Sequence, residues 1–427
     1  MKIVTMGDRS FTSTLRSVCC RAIQQNLSVE RKVKVILQGV ARQGDVAVSR
    51  FVKKFDGLRL QSAEFLVQSD EIQAARSALR KEEIAALRYA GKRILDFHQR
   101  QRQKTWISSH NGVKLGQLIN PLDVVGLYVP GGKALYPSTV LMNAIPAKVA
   151  GVKRVVMCSP TATGAINPYL LVAAQIAGVD EIYRIGGVQA IGAMAYGTKR
   201  IPRVDKIVGP GNIFVATAKR LVYGHVDIDM IAGPSELLVL ADDSANPQHV
   251  AADLLCEAEH DEEAQVYLVT PSAKLATKVV QEVHKQLKRL SRNHIVTNSV
   301  KRYAVAFVVS DRDKAIEISN EIAPEHLSLM FERAFDYLKK IRHAGAIFMG
   351  RYTPPAVADY VAGPNHVLPT GGSARFFSAL SLDDYVKRTN IVSYTAKELR
   401  KAQPYVTQLA MMEGLDAHAK SIESRGL

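Results

Sequence analysis

From about residue 112 onward, short apolar runs alternate with alanine-rich stretches of helical length, and this alternation constrains the fold of the 427-residue chain more than any other property. The runs are Val124–Val129, Arg154–Met157, Glu181–Ile185, Lys206–Val208, Leu237–Leu240, Gln265–Val269, Ala304–Val309 and Ala346–Met349. Between them lie helical segments such as Leu170–Ala177, Ala190–Tyr196 and Val215–Val222. Parallel strands need a crossover between them, so strands separated by helix-length segments predict a mainly parallel α/β sheet. Asn246-Pro247 sets a cap and a first-turn proline ahead of the helix that runs to His260.

The first quarter reads differently. Apolar residues recur at helical spacing from Val29 to Phe55, where Asp56-Gly57 ends the pattern. Ser69-Asp70-Glu71 opens a longer helical stretch through Leu79, Ile84, Leu87 and Ile94 to the polar 99–104 segment. The last 45 residues read as polar helices. Length alone predicts roughly two or three domains. Hydrophobic content of 47% with 22% charged residues is a globular rather than a disordered profile. No apolar run approaches the about 18 residues needed to cross a bilayer, and the start is not a signal peptide. Cys19, Cys20, Cys158 and Cys256 form no CxxC pair and read as reduced thiols of a cytoplasmic protein. The net charge is +16, with most of the excess in residues 1–104, where 21 Lys and Arg face 10 Asp and Glu. Those bases interleave with acids and lack an aromatic platform, so they read as solvated helix faces with no specific nucleic-acid partner.

Glycine-rich turns follow three of the strands: Val129-Pro130-Gly131-Gly132, Ile185-Gly186-Gly187-Val188-Gln189 and Val208-Gly209-Pro210-Gly211-Asn212. Such turns at carboxyl ends of parallel strands are where open sheets bind ligands, often dinucleotides. None is a full GxGxxG, and ordinary turns explain each one singly. Near the C-terminal end, Glu257-Ala258-Glu259-His260, Pro324-Glu325-His326 and a scatter of Asp359, His366, Glu413 and His418 offer nitrogen and oxygen ligands for a borderline metal such as zinc. Glu257 and His260, three apart, share a helix face. Glu325-His326 is either a turn with two exposed polar residues or a proton-transfer pair at a strand mouth. Gly233-Pro234-Ser235-Glu236 is not a GxSxG elbow, which disfavours a serine hydrolase. Cys256 reads as an aldehyde-oxidising nucleophile or, more ordinarily, as a small buried apolar residue.

These motifs converge. Gly126-Leu127-Tyr128-Val129-Pro130-Gly131-Gly132, Tyr136-Pro137-Ser138-Thr139-Val140-Leu141-Met142-Asn143, Val208-Gly209-Pro210-Gly211-Asn212, Ile231-Ala232-Gly233-Pro234-Ser235-Glu236, Ala258-Glu259-His260-Asp261, Ala323-Pro324-Glu325-His326-Leu327, the run Tyr360-Val361-Ala362-Gly363-Pro364-Asn365-His366-Val367-Leu368-Pro369-Thr370 and Glu413-Gly414-Leu415-Asp416-Ala417-His418 resemble segments of the histidinol dehydrogenases, nearly end to end. The resemblance implies NAD-dependent oxidation of L-histidinol through L-histidinal to L-histidine, with one zinc per subunit that orients the substrate. It implies His326 as the base and Glu325 as the activator of water. Metal ligands would be Glu257, His260, Asp359 and His418. Ser235 and Glu413 would contact substrate, together with His326 and the four ligands. Tyr128, Gln189 and Asn212 would contact NAD.

The resemblance further implies a homodimer with shared active sites, and no membrane association. Two Rossmann-like domains with an incomplete dinucleotide fingerprint are expected: 22–127 with 238–378, and 128–237. They are flanked by an N-terminal arm (1–21) and a C-terminal helical segment (379–427) that reaches the dimer partner. One departure stands out: the family typically has Gln where this chain has Glu257. Glu offers an equivalent oxygen and adds a negative charge. A paralogue acting on another polyol or a hydroxy-sulfonate is disfavoured by Glu413 and His418, which suit a cationic substrate. A non-catalytic binding protein is disfavoured by the retained Glu325 and His326.

Overall fold

The computed structural model describes residues 1–21, 27–131 and 135–425. Gly132 of the first glycine turn, and residue 22 at the expected domain boundary, lie outside the described residues. The strands are β1 (Lys2–Thr5), β2 (Trp106–His110), β3 (Val113–Pro121), β4 (Val124–Tyr128), β5 (Arg154–Cys158), β6 (Glu181–Tyr183), β7 (Lys206–Val208), β8 (Asp227–Ile228), β9 (Glu236–Ala241), β10 (Gln265–Thr270), β11 (Val305–Val308), β12 (His326–Met330), β13 (Ala346–Met349) and β14 (Val386–Tyr394). The chain forms two compact units, Met1–Gln101 with Asp123–Tyr385, and Arg102–Leu122 with Val386–Leu427.

The larger unit holds two parallel sheets joined by helical crossovers, the α/β architecture that the strand–helix alternation predicts. One runs β6-β5-β4-β7-β8, the other β1-β11-β10-β9-β12-β13. Counted in chain order from β4 and from β9, both have the doubly wound order 3-2-1-4-5, with β1 added at one edge of the second. Each sheet therefore has a switch point, between β4 and β7 and between β9 and β12, where successive crossovers diverge and leave a crevice. Glu236–Ala241 is buried along its whole length because both faces are covered. Leu237, Val239 and Ala241 pack with Val250, Leu254 and Ala258 of the helix Pro247–Ala258. The alternate Leu238 and Leu240 pack on the opposite side with Phe11, Phe307 and Ile316. The other sheet buries Val156 and Ile207 against Val33, Ile36, Val40 and Phe51 of the first-quarter helices.

Three helical expectations are corrected. The stretch 29–55 is two helices, Leu27–Gln43 and Asp45–Phe55, because Gly44 adopts φ 52°. The stretch from Ser69 breaks at Leu79–Arg80 into Ser69–Ala78 and Lys81–Gln99, where the Glu83 carboxylate accepts the Arg80 N–H (2.9 Å) and restarts the helix. The last 45 residues are not all helical. Val386–Tyr394 is β14, which pairs antiparallel with β3 and, with β2, makes a three-stranded sheet in the smaller unit. The β2–β3 hairpin turns on Asn111-Gly112, both at positive φ, the combination that a two-residue hairpin requires. The helices Ala396–Met412 and Asp416–Glu423 complete this unit. No described helix is long and apolar enough to cross a membrane.

Candidate active site

The residues at 325 and 326 are aimed by the turn that precedes β12. The helix Arg312–Ile322 ends on Ala323, whose φ of 50° is left-handed and therefore strained for a residue with a Cβ. Pro324 follows, and the N–H groups of Gly345 and Ala346 hold the carbonyls of Pro324 (3.0 Å) and Glu325 (2.9 Å). Glu325 thus ends the turn and His326 starts the strand, in register with Leu237 of β9 and Ala346 of β13. The helix Pro247–Ala258 is capped by Asn246, whose side chain accepts the Gln248 N–H (2.9 Å), and its last turn delivers Glu257, with His260 just beyond. The short helix Pro355–Tyr360 packs beside it and carries Asp359.

These segments bring five of the expected residues into mutual reach. Glu257 Oε1 lies 2.8 Å from His260 Nδ1, and its Oε2 3.4 Å from His326 Nδ1. Glu325 Oε2 is 3.6 Å from the same nitrogen, while Asp359 Oδ1 is 4.0 Å from His326 Nε2. His326 Nδ1 also donates to the carbonyl of Glu236 at 3.0 Å. A carbonyl can only accept, so this contact places a proton on Nδ1; in the neutral ring the lone pair is then on Nε2. The ring stacks on Phe348 with centroids 5.6 Å apart. His366 is tied behind the site, with Nδ1 3.0 Å from the Asp359 carbonyl and Nε2 3.3 Å from Thr139 Oγ1.

The electrostatics follow from three buried or half-buried acids around two imidazoles. Burial opposes ionisation of Glu257, but His326 and the bonded His260, with Ser235, outweigh it and hold the carboxyl down at about 2. Burial likewise opposes charging of His260, yet its bond to Glu257 carries it up to about 9. Glu325 is raised well above the carboxylate range, by burial first and then by the Glu257 charge. Asp359 is raised by burial, partly countered by His326. Burial pushes His366 down to about 4. Burial and the neighbouring carboxylates push the Cys256 thiol up to about 12, which removes its thiolate character.

Oxygen and nitrogen donors concentrated around one buried point suit a borderline divalent cation. The mutual repulsion of Glu257, Glu325 and Asp359 is itself a surplus of negative charge that such a cation would offset. Among the described residues, Glu257, Glu325 and His326 are the three whose candidate ligand atoms all lie within 4.8 Å of one another. Asp359 borders that group through His326.

The site opens into a cavity of about 2480 Å³ within the larger unit, lined by Ser235, His260, Glu325, His326 and Asp359 and also by Tyr128, Gln189 and Asn212. That volume exceeds the roughly 300–1,000 Å³ of an ordinary small-ligand site and can take a dinucleotide together with a second molecule. The cavity meets the first sheet at the carboxyl ends of β4 and β7, where open sheets usually bind ligands. It meets the second sheet at the opposite, amino ends of β9 and β12. Tyr128 ends β4, and its hydroxyl accepts the Gly187 N–H (3.0 Å). Gln189 is buried in the first turn of Gly187–Tyr196, a helix whose Gly186 supplies no side-chain cap. Asn212 caps Ile213–Val222, accepting from Phe214 (3.1 Å) and Val215 (3.2 Å).

Glu413 and His418 belong to the smaller unit. Glu413 closes the helix Ala396–Met412 and His418 lies in Asp416–Glu423, and both are exposed. Sequence reasoning assigned no role to Glu236 or Arg21. Glu236 was visible only as the last letter of Gly233-Pro234-Ser235-Glu236, and no local signal marks Arg21.

Comparison with known proteins shows the family of the chain. A family profile described as histidinol dehydrogenase matches residues 20–426. The chain is 50% identical over 426 residues to histidinol dehydrogenase of Syntrophotalea carbinolica, covering 100% of this chain and 99% of that one. It is 49% identical over 427 residues to that of Geobacter sulfurreducens, covering both chains completely (100% of each). The crystal structure of histidinol dehydrogenase from Elizabethkingia anophelis superposes with a TM-score of 0.94 at 37% identity, over 100% of this chain and 98% of that one. The chain therefore belongs to the histidinol dehydrogenase family, a family of oxidoreductases.

Proposed function

We propose that this protein oxidises L-histidinol to L-histidinal and then to L-histidine with NAD as the oxidant, as the last steps of histidine biosynthesis. The observation that carries the reading is the His326 imidazole, anchored through Nδ1 and presenting Nε2, beside a buried carboxyl at Glu325. When bound, NAD supplies the hydride acceptor, and zinc supplies an anchor for the imidazole and amino nitrogens of the substrate. Glu257, His260, Asp359 and His418 would hold the metal; the buried excess of acid around Glu257 supports that assignment. Tyr128, Gln189 and Asn212 would line the NAD site, which the size of the cavity and the start of the helix Gly187–Tyr196 on its wall support.

In the first oxidation His326 Nε2 accepts the hydroxyl proton of histidinol as the carbon loses a hydride. For the second, Glu325 in its ionised form takes a proton from water as the oxygen adds to the aldehyde. Its raised proton affinity makes it the stronger base for that step. Loss of a second hydride, to a second NAD, with the remaining hydroxyl proton of the hydrate passing to His326 Nε2, gives the carboxylate. Ser235 and Glu413 contact the substrate, Glu413 and His418 coming from a second subunit of a cytoplasmic homodimer. The exposed Leu409, Met411, Met412 and Leu415 around Glu413 support a covered surface there. The test is NADH formation, followed by absorbance, with histidinol and separately with histidinal. Absence of NADH from both would sink the assignment.

A further inference from the structure

We propose that Arg21 and Glu236 form a buried pair of positioning residues that holds Glu325 and His326 in their working arrangement. The inference rests on the roles given to those two residues above. Both catalytic candidates are fixed by the backbone of a single residue. The Glu236 N–H donates to Glu325 Oε2 (2.8 Å), and the Glu236 carbonyl accepts from His326 Nδ1 (3.0 Å). Neither bond is part of the sheet ladder; each is possible only while Glu236 keeps its place at the first position of β9. The strand end by itself is a poor anchor, since terminal residues of a strand have neighbours on one side only.

The Glu236 side chain supplies the missing anchor. Its carboxylate takes both arms of the Arg21 guanidinium, Nε to Oε1 at 2.7 Å and Nη2 to Oε2 at 2.6 Å. Oε1 also accepts the N–H of Gly371 (2.9 Å), and Arg21 Nη1 donates to the Val18 carbonyl (2.9 Å). The two side chains are 4% and 1% exposed, so water does not compete for these bonds. A forked guanidinium–carboxylate contact fixes orientation as well as distance. The arrangement thus ties the end of the N-terminal arm and the Gly371 segment to the one residue that orients both reacting groups.

Removing one partner leaves a buried unpaired charge, which destabilises for reasons unrelated to catalysis. The test is therefore the double variant Arg21→Met/Glu236→Leu, in which both charges go. A thermal midpoint within a few degrees of wild type is expected, because apolar replacement of a buried pair is often neutral. Turnover is expected to fall at least about tenfold, with KM for histidinol and for NAD within about threefold. The side-chain nitrogen NMR signals of His326, in ¹⁵N-histidine-labelled protein, should pass from the single Nδ1–H tautomer to a mixture. Recovery of wild-type kcat together with the wild-type midpoint would overturn the proposal, as would a loss confined to KM. Arg21→Lys keeps the charge but not the fork and serves if the double variant fails to fold. Lowered kcat at a wild-type midpoint is expected, and unchanged kcat overturns the proposal. A wild type that makes no NADH from histidinol would instead sink the assigned reaction, while the His326 signals still decide the positioning.

Discussion

Individual residues divide the chemistry through their surroundings. His326→Asn should reduce oxidation of histidinol on the order of 10²-fold or more in kcat while changing KM little, because a base acts on the transition state. Glu325→Gln should weaken oxidation of supplied histidinal more than the alcohol step; equal losses in both steps would contradict the separate roles. Glu257 is ionised well below neutrality, so Glu257→Gln keeps an oxygen donor and loses a charge. Zinc should dialyse out of that variant faster against a weak chelator, with fold and NAD binding intact. Asp253, one turn earlier on the same helix, is buried with Oδ2 unpartnered, and burial raises its carboxyl to about 7. A carboxyl with a folded pKa above its unfolded value binds protons more tightly when folded. Its penalty is absent below the unfolded value near 3.8 and grows as pH rises through about 7. Asp253→Asn should therefore raise the thermal midpoint at pH 8, by a stability gain on the order of a few kcal/mol, and leave it unchanged near pH 3. An equal gain at both pH values would rule out titration as the cause.

At the scale of elements, the glycine turn after β7 is held from beneath. Gly209 has φ 108°, and a Cβ there would meet the Tyr128 carbonyl at 2.2 Å, so only glycine lets the turns after β4 and β7 approach. The Gly209 N–H donates to Asp229 Oδ2 (2.8 Å), and Lys219 Nζ donates to the Gly209 carbonyl (2.8 Å) and to Asp229 Oδ1. A buried ion pair thus grips both ends of one residue in a turn that lines the cavity. Asp229→Asn leaves Lys219 buried without its counter-charge and should cost about 3–5 kcal/mol of stability. KM for NAD should rise more than KM for histidinol, since the turn borders the proposed NAD site. Chemical unfolding and steady-state kinetics check the two effects; an unchanged KM for NAD would make the clamp purely structural.

For the whole molecule, the proposed shared-site homodimer makes a prediction that no single subunit can meet. A His326→Asn chain and a His418→Asn chain, each nearly inactive, should regain activity when unfolded together and refolded as a mixture. Up to about a quarter of wild-type activity is expected, from mixed dimers with one intact site, after the loss in each parent is set by the base or ligand removed. No recovery, with mixed dimers demonstrated by a tag, would place both residues in one subunit's site.

The alternation of strands and helices, the Asn246-Pro247 cap and the continuous apolar run of β9 were all readable from the chain, because each is set by residues a few positions apart. The family motifs likewise carried the candidate residues Glu257, His260, Glu325, His326 and Asp359. The polar strand Val386–Tyr394 was missed, since its mixed side chains carry no strong period and its pairing with β3 lies more than 260 positions away in sequence. The same applies with more force to the site. That the cavity meets one sheet at its carboxyl ends and the other at its amino ends depends on how two doubly wound halves are placed together. That Glu236 holds both Glu325 and His326, and that Arg21 holds Glu236, depends on strand register and on a contact across 215 positions. Local sequence specifies dihedral preferences and which face is apolar. Which distant polar groups end up within 3 Å of one another is decided only when the packed core leaves them no other partner.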